Sequence, residues 1–426
     1  MIFLYKLFTT IFYPIFVFFI YFRKLIKKED PIRYKEKILT SYFKVNRKDN
    51  TKLIWFHAAS VGELKSIIPL INELNKKDKN FEFLVTTVTL SSSILAREEL
   101  KKIKNTQHRF LPIDVNFLIE KFLKSWRPNI IFLVDSEIWP NLILNTQKLK
   151  IPISLINARF TQTSIKRWMI FPNIAKRILK VFKLFICSNK ETYEFLKKLD
   201  LQNINYIGNL KLIGRIDEKK IKDINENYLL NKRFWFAAST HKNENFFCIK
   251  SHLKLKEKFE DICTIVAPRH LENVKEIKSL CNKFNLKMQI LNKNEIILDD
   301  SELIIINYFG YLQNYFKYSK SVFIGKSMIK KLKDQGGQSP IEAAKLNCKI
   351  YHGPYVRNFE EIYKLLEDNK ISKKINSFDE LIANLIKDLE NPRKLDGKIS
   401  KSIDDIGQKT LNDTMRLIDN FLNAIN

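Results

Sequence analysis

The chain has 426 residues, of which 45% are hydrophobic, and its formal net charge is +28 at pH 7. This length exceeds one ordinary hydrophobic core, so we expect two domains of roughly 150 to 200 residues each. The five cysteines are odd in number and never spaced CxxC, and the six histidines lack ligand spacing, which argues against a disulfide framework or a zinc site. The positive charge indicates an anionic partner, either nucleic acid, an acidic membrane surface or a phosphorylated substrate.

An apolar segment of 22 residues opens the chain, with Lys6 as its single charge, and a basic run follows at 23–28. Its length is close to the minimum for a bilayer span. A signal peptide carries its charges first and ends in small residues, whereas this segment has the reverse order. We therefore predict a retained membrane anchor within residues 1–30, with the body of the protein on the cytoplasmic side. Pro14 leaves open a helix that lies in one leaflet, and a buried N-terminal helix is the alternative.

From residue 53 onward, apolar strands without alternation are separated by helical stretches, which is typical of parallel sheets covered on both faces. The pattern breaks in a polar stretch at 217–231 and then starts again. The sequence therefore predicts an α/β fold with two doubly wound, Rossmann-like domains facing a cleft, at 31–215 and 216–426, and a last helix that can pack back on the first domain. The predicted strands are 53–57, 81–88, 109–112, 130–134, 151–156, 184–188, 234–238, 262–267, 303–306, 322–325 and 349–351.

The stretch from Leu53 to Glu63 is the most informative, because an apolar strand ends there in small residues and one carboxylate. In open α/β sheets, ligands bind where the carboxyl end of a strand meets a helix N-terminus. Ser60 and Glu63 also have the spacing of a capping box, in which Ser60 accepts from the Glu63 N–H and Glu63 accepts from the Ser60 N–H. Local sequence alone favours capping over catalysis at Glu63.

Polar residues also follow two neighbouring predicted strands in the first half of the chain. Asp135 and Glu137 have the spacing of acidic pairs that hold a divalent metal with a sugar nucleotide, although Glu137 could equally hydrogen-bond neighbouring backbone. Asn157 and Arg159 follow the next strand and offer an anion-binding group on the same rim. One such pair is weak support for a metal site.

In the second half, strand ends lead into groups that suit phosphate or carboxylate recognition. Arg can bind an oxyanion through two hydrogen bonds, although a Ser-Thr-His tripeptide could merely cap a helix. Paired glycines let backbone approach a ligand, and Glu342 could hold ribose hydroxyls or be an ordinary first-turn residue. The lysine-rich segment 328–335 is predicted to be a mobile loop. The residues concerned are Ser239, Thr240, His241, Arg269, His270, Gly336, Gly337, Ser339 and Glu342.

Taken together, these stretches resemble the Kdo transferases, which attach 3-deoxy-D-manno-octulosonic acid (Kdo) to the lipid A precursor and have the two-domain GT-B fold. The likeness covers nearly the whole chain, and the motifs agree in order, spacing and position on strand ends. GxGxxG and GxxxxGK[ST] are both absent from the sequence. The motifs are HAASVGE at 57–63, SEIWPN at 136–141, NARF at 157–160, GNLK at 208–211, STH at 239–241, PRH at 268–270, GGQSPIE at 336–342 and GPYVRNFEE at 353–361.

The resemblance implies an inverting transfer from CMP-Kdo to a glucosamine hydroxyl of the lipid A precursor, lipid IVA, without metal or other cofactor. It places the protein at the cytoplasmic face of the inner membrane, in lipopolysaccharide biosynthesis, with an anionic membrane surface and no nucleic acid as partner. Glu63 matches the family's general base. Ser239, Thr240, His241, Arg269, His270 and Glu342 would hold CMP and the Kdo carboxylate, and the further candidate binding residues are Ser60, Glu137, Asn157, Arg159, Lys211, Gly336, Gly337 and Ser339.

The chain departs from the family pattern at several of these positions. The family usually has Glu-Thr-Glu at 135–137, a more acidic run at 242–245, Asn in place of Ser339 and a second Gly in place of Lys326. These departures concern the nucleotide contacts and the phosphate pattern of the acceptor. Two other hypotheses stay open: a GT-B transferase that uses a UDP-sugar on a lipid acceptor, and a membrane-tethered basic protein that binds nucleic acid.

Overall fold

The computed structural model describes residues 2–48, 50–214, 216–310, 312–391 and 398–424. Contacts divide the chain into two compact units, one formed by residues 1–214 with 406–426 and the other by residues 215–405. The predicted domain limits at 31–215 and 216–426 stay predictions, and Arg215 lies outside the described residues. By contacts, the last part of the final helix, from Ile406 onward, belongs to the first unit.

Two helices, α1 (Ile2–Ile11) and α2 (Tyr13–Leu25), begin the described chain and are bent by 56° where they meet. Within the described residues, no single helix combines the length and apolarity needed to cross a bilayer, and only this bent pair reaches them together. The buried-helix alternative is wrong, because Thr9 and Ile20 are the only buried residues of the pair.

The first unit contains a sheet whose seven described strands are all parallel, in the order β3-β2-β1-β4-β5-β6-β7. The order reverses between β1 and β4, so the crevice at the carboxyl ends of these two neighbours is the topological switch point. The strands are β1 (Lys52–His57), β2 (Phe81–Thr87), β3 (Thr106–Phe110), β4 (Ile130–Val134), β5 (Ile153–Ala158), β6 (Leu184–Cys187) and β7 (Ile204–Tyr206).

Helices cover both faces of this sheet, which explains why its central strands are apolar throughout. Trp55 points to one core, shared with α5, and Phe56 points to the other, which α3 and the final helix complete through Leu411 and Ile418. The helices of the unit after the N-terminal pair are α3 (Val61–Lys77), α4 (Leu90–Glu99), α5 (Asn116–Trp126), α6 (Pro140–Lys148), α7 (Gln162–Trp168), α8 (Pro172–Leu179) and α9 (Lys190–Lys198).

The second unit repeats this plan, since its seven described strands form one parallel sheet in the order β10-β11-β9-β8-β12-β13-β14. Its switch point lies between β8 and β12. The strands are β8 (Phe234–Thr240), β9 (Cys263–Pro268), β10 (Met288–Leu291), β11 (Leu303–Ile306), β12 (Ser321–Ile324), β13 (Lys349–His352) and β14 (Ser372–Lys374). Its helices are α10 (Glu226–Asn231), α11 (Glu244–Lys256), α12 (Val274–Lys283), α13 (Leu312–Tyr318), α14 (Ile341–Lys345), α15 (Glu360–Asp368) and α16 (Phe378–Glu390). The final helix, α17 (Lys398–Ala424), begins in this unit and belongs to the first unit from Ile406 onward.

The predicted α/β architecture with two doubly wound sheets is confirmed, and the largest errors in the strands fall at the sheet edges. β3 starts three residues before the predicted strand at 109–112, and β7, β10 and β14 were not predicted. All four are edge strands of their sheets. An edge strand has one open side and a short, half-exposed sequence, so the apolar run that marks a central strand is missing. The strand predicted as the last, at 349–351, is followed by β14.

Candidate active site

Glu63 lies at the switch point of the first sheet, in the first turn of α3. Ser60 is the N-cap, and its Oγ accepts from the Glu63 N–H at 3.4 Å. The Glu63 carboxylate accepts two short hydrogen bonds of 2.7 Å, one from the Ser60 hydroxyl and one from the Ala59 N–H. The prediction that the Glu63 carboxylate accepts from the Ser60 N–H is wrong by one residue. The extended backbone of the N-cap places the Ala59 N–H in front of the carboxylate instead. The cap and the candidate base are therefore the same side chain.

The environment of Glu63 suits a proton acceptor. Its side chain is buried, with 8% of the residue exposed. Burial raises the pKa of the Glu63 carboxyl above its usual 4.5, and the negative charges of Asp135 and Glu137 raise it further against the opposing bonds from Ser60 and Ala59. Each carboxylate oxygen has two lone pairs, so both can accept a further proton donor while the cap is in place. A carboxylate with a raised pKa is a stronger base than an ordinary one.

Asp135 follows β4 and joins two other predicted site residues. Its carboxylate accepts from the Lys211 ammonium at 2.7 Å and from the Asn157 side-chain amide. The side-chain oxygen of Asn157, Oδ1, in turn accepts from the Leu210 N–H at 2.8 Å. The Lys211 side chain passes 3.7 Å from the position that a Cβ on Gly62 would occupy. A cation and an anion are thus fixed beside the first turn of α3.

Glu137 belongs to a second network on the same rim. Its Oε2 accepts from the Trp139 indole N–H at 2.8 Å and lies 3.2 Å from His57 Nε2. His57 Nδ1 lies 2.9 Å from the Thr86 hydroxyl and 3.2 Å from the Thr86 carbonyl oxygen, so both ring nitrogens have hydrogen-bond partners. Burial raises the pKa of Glu137, but the bonds from His57 and Trp139 outweigh it, so the pKa lies below its usual value. Side chains hold Glu137, and the alternative of bonds to backbone is wrong.

The acidic pair is engaged with protein groups on both sides. Asp135 is bonded to a lysine and Glu137 to a histidine and a tryptophan. Among the described residues, no group of three or more His, Cys, Asp or Glu side chains is placed to hold a metal ion. Arg159 is half-buried beyond β5, and its N–H donates to the Asp135 carbonyl at 3.2 Å. The first unit therefore gathers six candidate residues near the carboxyl ends of its central strands: Ser60, Glu63, Glu137, Asn157, Arg159 and Lys211.

The second unit gathers cationic and hydroxyl groups at the carboxyl ends of β8 and β9. The Arg269 N–H donates to the Thr240 carbonyl at 2.9 Å, and the rings of His241 and His270 meet edge to face at 5.3 Å. Burial and the positive charges of His270, Lys326 and Arg269 lower the pKa of His241 from 6.5 to about 4. Thr240 Oγ1 and His241 Nε2 are buried without a hydrogen-bond partner in the part of the chain that the structure describes. These are the features of a site that awaits a polar ligand.

Glu244 organises this group, although the sequence marked it only as part of a departure from the family pattern. Its fully buried carboxylate accepts four backbone N–H groups, at 2.7 to 3.0 Å. The two oxygens of the carboxylate thus join the segment after β8 to the segment after β12. The donors are the N–H groups of His241, Lys326, Ser327 and Met328.

Gly336 and Gly337 pack between the loop that contains Tyr355 and the loop that contains Lys326. A Cβ on Gly336 would lie 2.1 Å from the Tyr355 carbonyl oxygen, so only glycine allows this approach. The Gly337 N–H donates to the Lys326 carbonyl at 2.7 Å, which ties the pair to the same strand end. Ser339 is exposed, and Glu342 is half-buried and accepts from the Gln313 amide at 2.7 Å. One oxygen of the Glu342 carboxylate is therefore already bonded within the protein. The predicted role of Glu342 in holding ribose hydroxyls stays a prediction.

Strained backbone recurs at the strand ends of both units. Four non-glycine residues there have a left-handed backbone, with φ between 51° and 59°: Asp135, Asn157, Ser239 and Lys326. Such conformations cost on the order of 1 kcal/mol each and tend to persist at functional sites. Asp135, Asn157 and Ser239 are candidate residues identified from the sequence, and Lys326 is a position at which the chain departs from the family pattern.

Two parallel sheets with these switch points define a two-domain α/β protein of the GT-B class. The UDP-GlcNAc 2-epimerase of Neisseria meningitidis bound to UDP-GlcNAc matches 87% of this chain and 99% of its own, with a TM-score of 0.56 and 12% identity. The UDP-N-acetylglucosamine 2-epimerase of Rickettsia bellii matches 88% of this chain and 98% of its own, with a TM-score of 0.54 and 13% identity. At such identities the likeness concerns the fold.

Sequence comparison narrows the class to a family. The family model described as 3-Deoxy-D-manno-octulosonic-acid transferase (kdotransferase) matches residues 33–213. The 3-deoxy-D-manno-octulosonic acid transferase of Rickettsia bellii is 30% identical over 98% of this chain and 99% of its own, and that of Haemophilus influenzae is 26% identical over 80% of each. The chain belongs to the 3-deoxy-D-manno-octulosonic acid transferase family of glycosyltransferases. The resemblance drawn from the motifs is confirmed.

Proposed function

We propose that this protein transfers Kdo from CMP-Kdo to a glucosamine hydroxyl of the lipid A precursor lipid IVA, with inversion at the anomeric carbon. The observation that carries the proposal is the buried Glu63 carboxylate at the switch point of the first sheet, with a pKa raised by burial and by two neighbouring carboxylates. Membership of the Kdo transferase family supports Kdo as the transferred sugar.

In the proposed reaction, Glu63 accepts the proton of the acceptor hydroxyl as its oxygen attacks the anomeric carbon. A C–O bond to the acceptor forms, the bond from the anomeric carbon to the phosphate oxygen breaks, and CMP leaves with the electron pair. One direct displacement inverts the configuration. Lys211 and Asp135, held together at 2.7 Å, keep a fixed dipole beside the base. Glu137, held by His57 and Trp139, contributes to the raised pKa of Glu63.

The donor binds, in this proposal, to the polar strand ends of the second unit. Among the residues that the structure describes, Thr240 Oγ1 and His241 Nε2 have no hydrogen-bond partner although they are buried, and a bound nucleotide would satisfy them. Arg269 is exposed at the end of β9, where a guanidinium can bind two oxygens of a phosphate or carboxylate. We propose that these cationic groups balance the charge of the leaving phosphate and that the reaction needs no metal ion or other cofactor.

The N-terminal helix pair is the proposed membrane contact. Large apolar side chains on it are exposed, including Phe3 at 73% and Phe18 at 70%. Arg23 and Lys24 lie in the last turn of α2, next to the apolar surface. Exposed apolar groups beside cations are what an anionic lipid surface binds, so we place the protein at the cytoplasmic face of the inner membrane.

The test is an assay of the full-length protein with CMP-Kdo and tetra-acylated lipid A precursor, followed by mass spectrometry of the lipid. We expect the mass of the acceptor to rise by one or more Kdo residues, in EDTA as well as in its absence. UDP should compete less well than CMP. Absence of transfer from CMP-Kdo, or transfer from a UDP-sugar only, would overturn the proposal, and loss of activity in EDTA would overturn its metal-free part.

The pH dependence of kcat tests the assignment of Glu63. The base must be ionised, and its pKa is raised, so we expect kcat to fall as the pH drops through a value above 4.5. Asp135→Asn removes the largest charge contribution to this shift, after burial, and should move the acid limb of the profile to lower pH. A profile measured with saturating substrates would contradict the assignment if the acid limb were absent, or if it moved to higher pH in the variant.

A further inference from the structure

Lys326 lies just beyond the carboxyl end of β12, at the switch point of the second sheet. β12 pairs with β8 through Ile324 and Ala238, and the Gly325 N–H donates to the Ala238 carbonyl at 2.9 Å. A Cβ on Gly325 would lie 2.5 Å from the Ser239 carbonyl oxygen, so glycine allows the two chains to touch. Lys326 and the segment 239–241 therefore leave the sheet side by side.

The backbone of Lys326 is held in an unfavourable conformation from two sides. Its φ is +59°, in the left-handed region that residues other than Gly, Asn and Asp rarely adopt. Its N–H donates to Glu244 Oε2 at 2.7 Å, and its carbonyl accepts from the Gly337 N–H at 2.7 Å. Strain that the surroundings maintain is characteristic of ligand sites, because it directs a side chain that would otherwise point elsewhere.

Lys326 and Arg269 are neighbouring cations at this strand end, whereas His241, with a pKa of about 4, is neutral near pH 7. His241, Arg269 and Lys326 share one edge, and the charge of Lys326 acts on His241. Within the described ranges, no carboxylate forms an ion pair with Lys326 or Arg269. Glu244 is the acidic group between the two strand ends, and both of its oxygens already accept backbone N–H groups. An anion brought by a ligand would supply the missing charge.

We propose that Lys326 binds an anionic oxygen of the nucleotide-sugar donor, either the phosphate of CMP or the carboxylate of Kdo. This inference rests on the proposed function and adds to it a specific binding residue. An ammonium on a flexible stem is a point charge that suits either oxyanion, and Arg269 across the same edge adds a planar donor. Lys326 thereby becomes a residue that determines donor affinity and not merely a surface lysine.

Lys326→Gly is the informative variant, because it removes the ammonium and glycine adopts a φ of +59° without strain, so we expect the variant to fold. We would titrate the full-length protein with CMP and with cytidine by calorimetry and measure the KM for CMP-Kdo. A rise of about tenfold in the Kd of CMP, with the Kd of cytidine unchanged, assigns Lys326 to the phosphate. A similar rise in the KM for CMP-Kdo with an unchanged Kd for CMP assigns it to the carboxylate.

Lys331→Ala is the matched control, since it removes the same charge from an exposed lysine of the same loop. We expect it to leave the Kd of CMP and the KM for CMP-Kdo at wild-type values, and Lys326→Arg should restore part of the lost affinity. Wild-type affinities in Lys326→Gly, or equal losses in the two lysine variants, would overturn the role of Lys326 alone. Failure of the wild type to bind CMP would overturn the proposed donor, and the role of Lys326 with it.

Discussion

Glu63→Gln should lower kcat by about 10² to 10⁴-fold while the KM for CMP-Kdo stays close to that of the wild type. Glutamine keeps the size and planar shape of the side chain but cannot take a proton from the acceptor hydroxyl at neutral pH. Its remaining oxygen can still accept one of the two 2.7 Å bonds from Ala59 and Ser60, so α3 keeps part of its cap. The measurement is a steady-state assay at saturating acceptor, together with the free energy of unfolding of each variant.

A matched capping variant separates catalysis from helix stability. Glu380 caps α16 with the same geometry, because the Ser377 Oγ accepts from the Glu380 N–H at 3.2 Å and Glu380 accepts from the Asn376 N–H at 2.9 Å. We expect Glu380→Gln to lower the free energy of unfolding by about 0.5 to 2 kcal/mol, as cap losses do, and to leave kcat unchanged. Equal kcat in Glu63→Gln and the wild type, or equal losses in both variants, would show that Glu63 is a cap alone.

Glu244→Gln should both destabilise the protein and weaken CMP binding. The carboxylate accepts four N–H groups, two on each oxygen, so an amide in its place turns an NH₂ group toward two donors. Each unsatisfied buried donor costs about 1 to 3 kcal/mol, and we expect a loss of about 2 to 6 kcal/mol in the free energy of unfolding. The Kd for CMP should rise by about tenfold or more, because His241 and the segment 326–328 lose their common anchor.

Glu295→Gln is the control for this change of charge. Glu295 is an exposed residue of the same unit that accepts from the N–H and the side-chain amide of Asn292, at 2.8 and 2.9 Å. We expect its free energy of unfolding to change by less than about 0.5 kcal/mol and its CMP affinity to match the wild type. Denaturant unfolding and calorimetry measure both quantities. A stable Glu244→Gln protein with wild-type CMP affinity would refute the organising role of Glu244.

The central strands were predictable because both of their faces are buried and their sequences are apolar throughout. β4 and β11 have the predicted limits, 130–134 and 303–306. The edge strands were not, since pairing on one side suffices to make a strand of a mixed segment such as TQHRF in β3. Strand formation at an edge depends on the neighbour that supplies the hydrogen bonds, and that neighbour is distant in sequence.

The residues of the candidate site also divide into those that could be identified from the sequence and those that could not. Glu63 could be identified because one carboxylate stands at the end of an apolar strand, and the resemblance to a family raised its importance. Glu244 could not, because an acidic residue in the first turn of a helix is ordinary and its partners at 326–328 lie about eighty residues further along the chain. His57 was read as a buried strand residue, and its contact with Glu137 is equally distant in sequence.

The left-handed backbone at Asp135, Asn157, Ser239 and Lys326 has a consequence for the evolution of this enzyme. At Ser239 and Lys326, glycine would relieve the backbone strain and should raise the free energy of unfolding by about 0 to 1 kcal/mol. At Asp135 and Asn157 it would also remove the hydrogen bonds that their side chains accept from Lys211 and Leu210. Selection for thermotolerance alone would therefore favour glycine at Ser239 and Lys326 and would keep Asp135 and Asn157. Persistence of the Ser239 and Lys326 side chains in a heat-adapted lineage would indicate that they contribute to turnover in this protein.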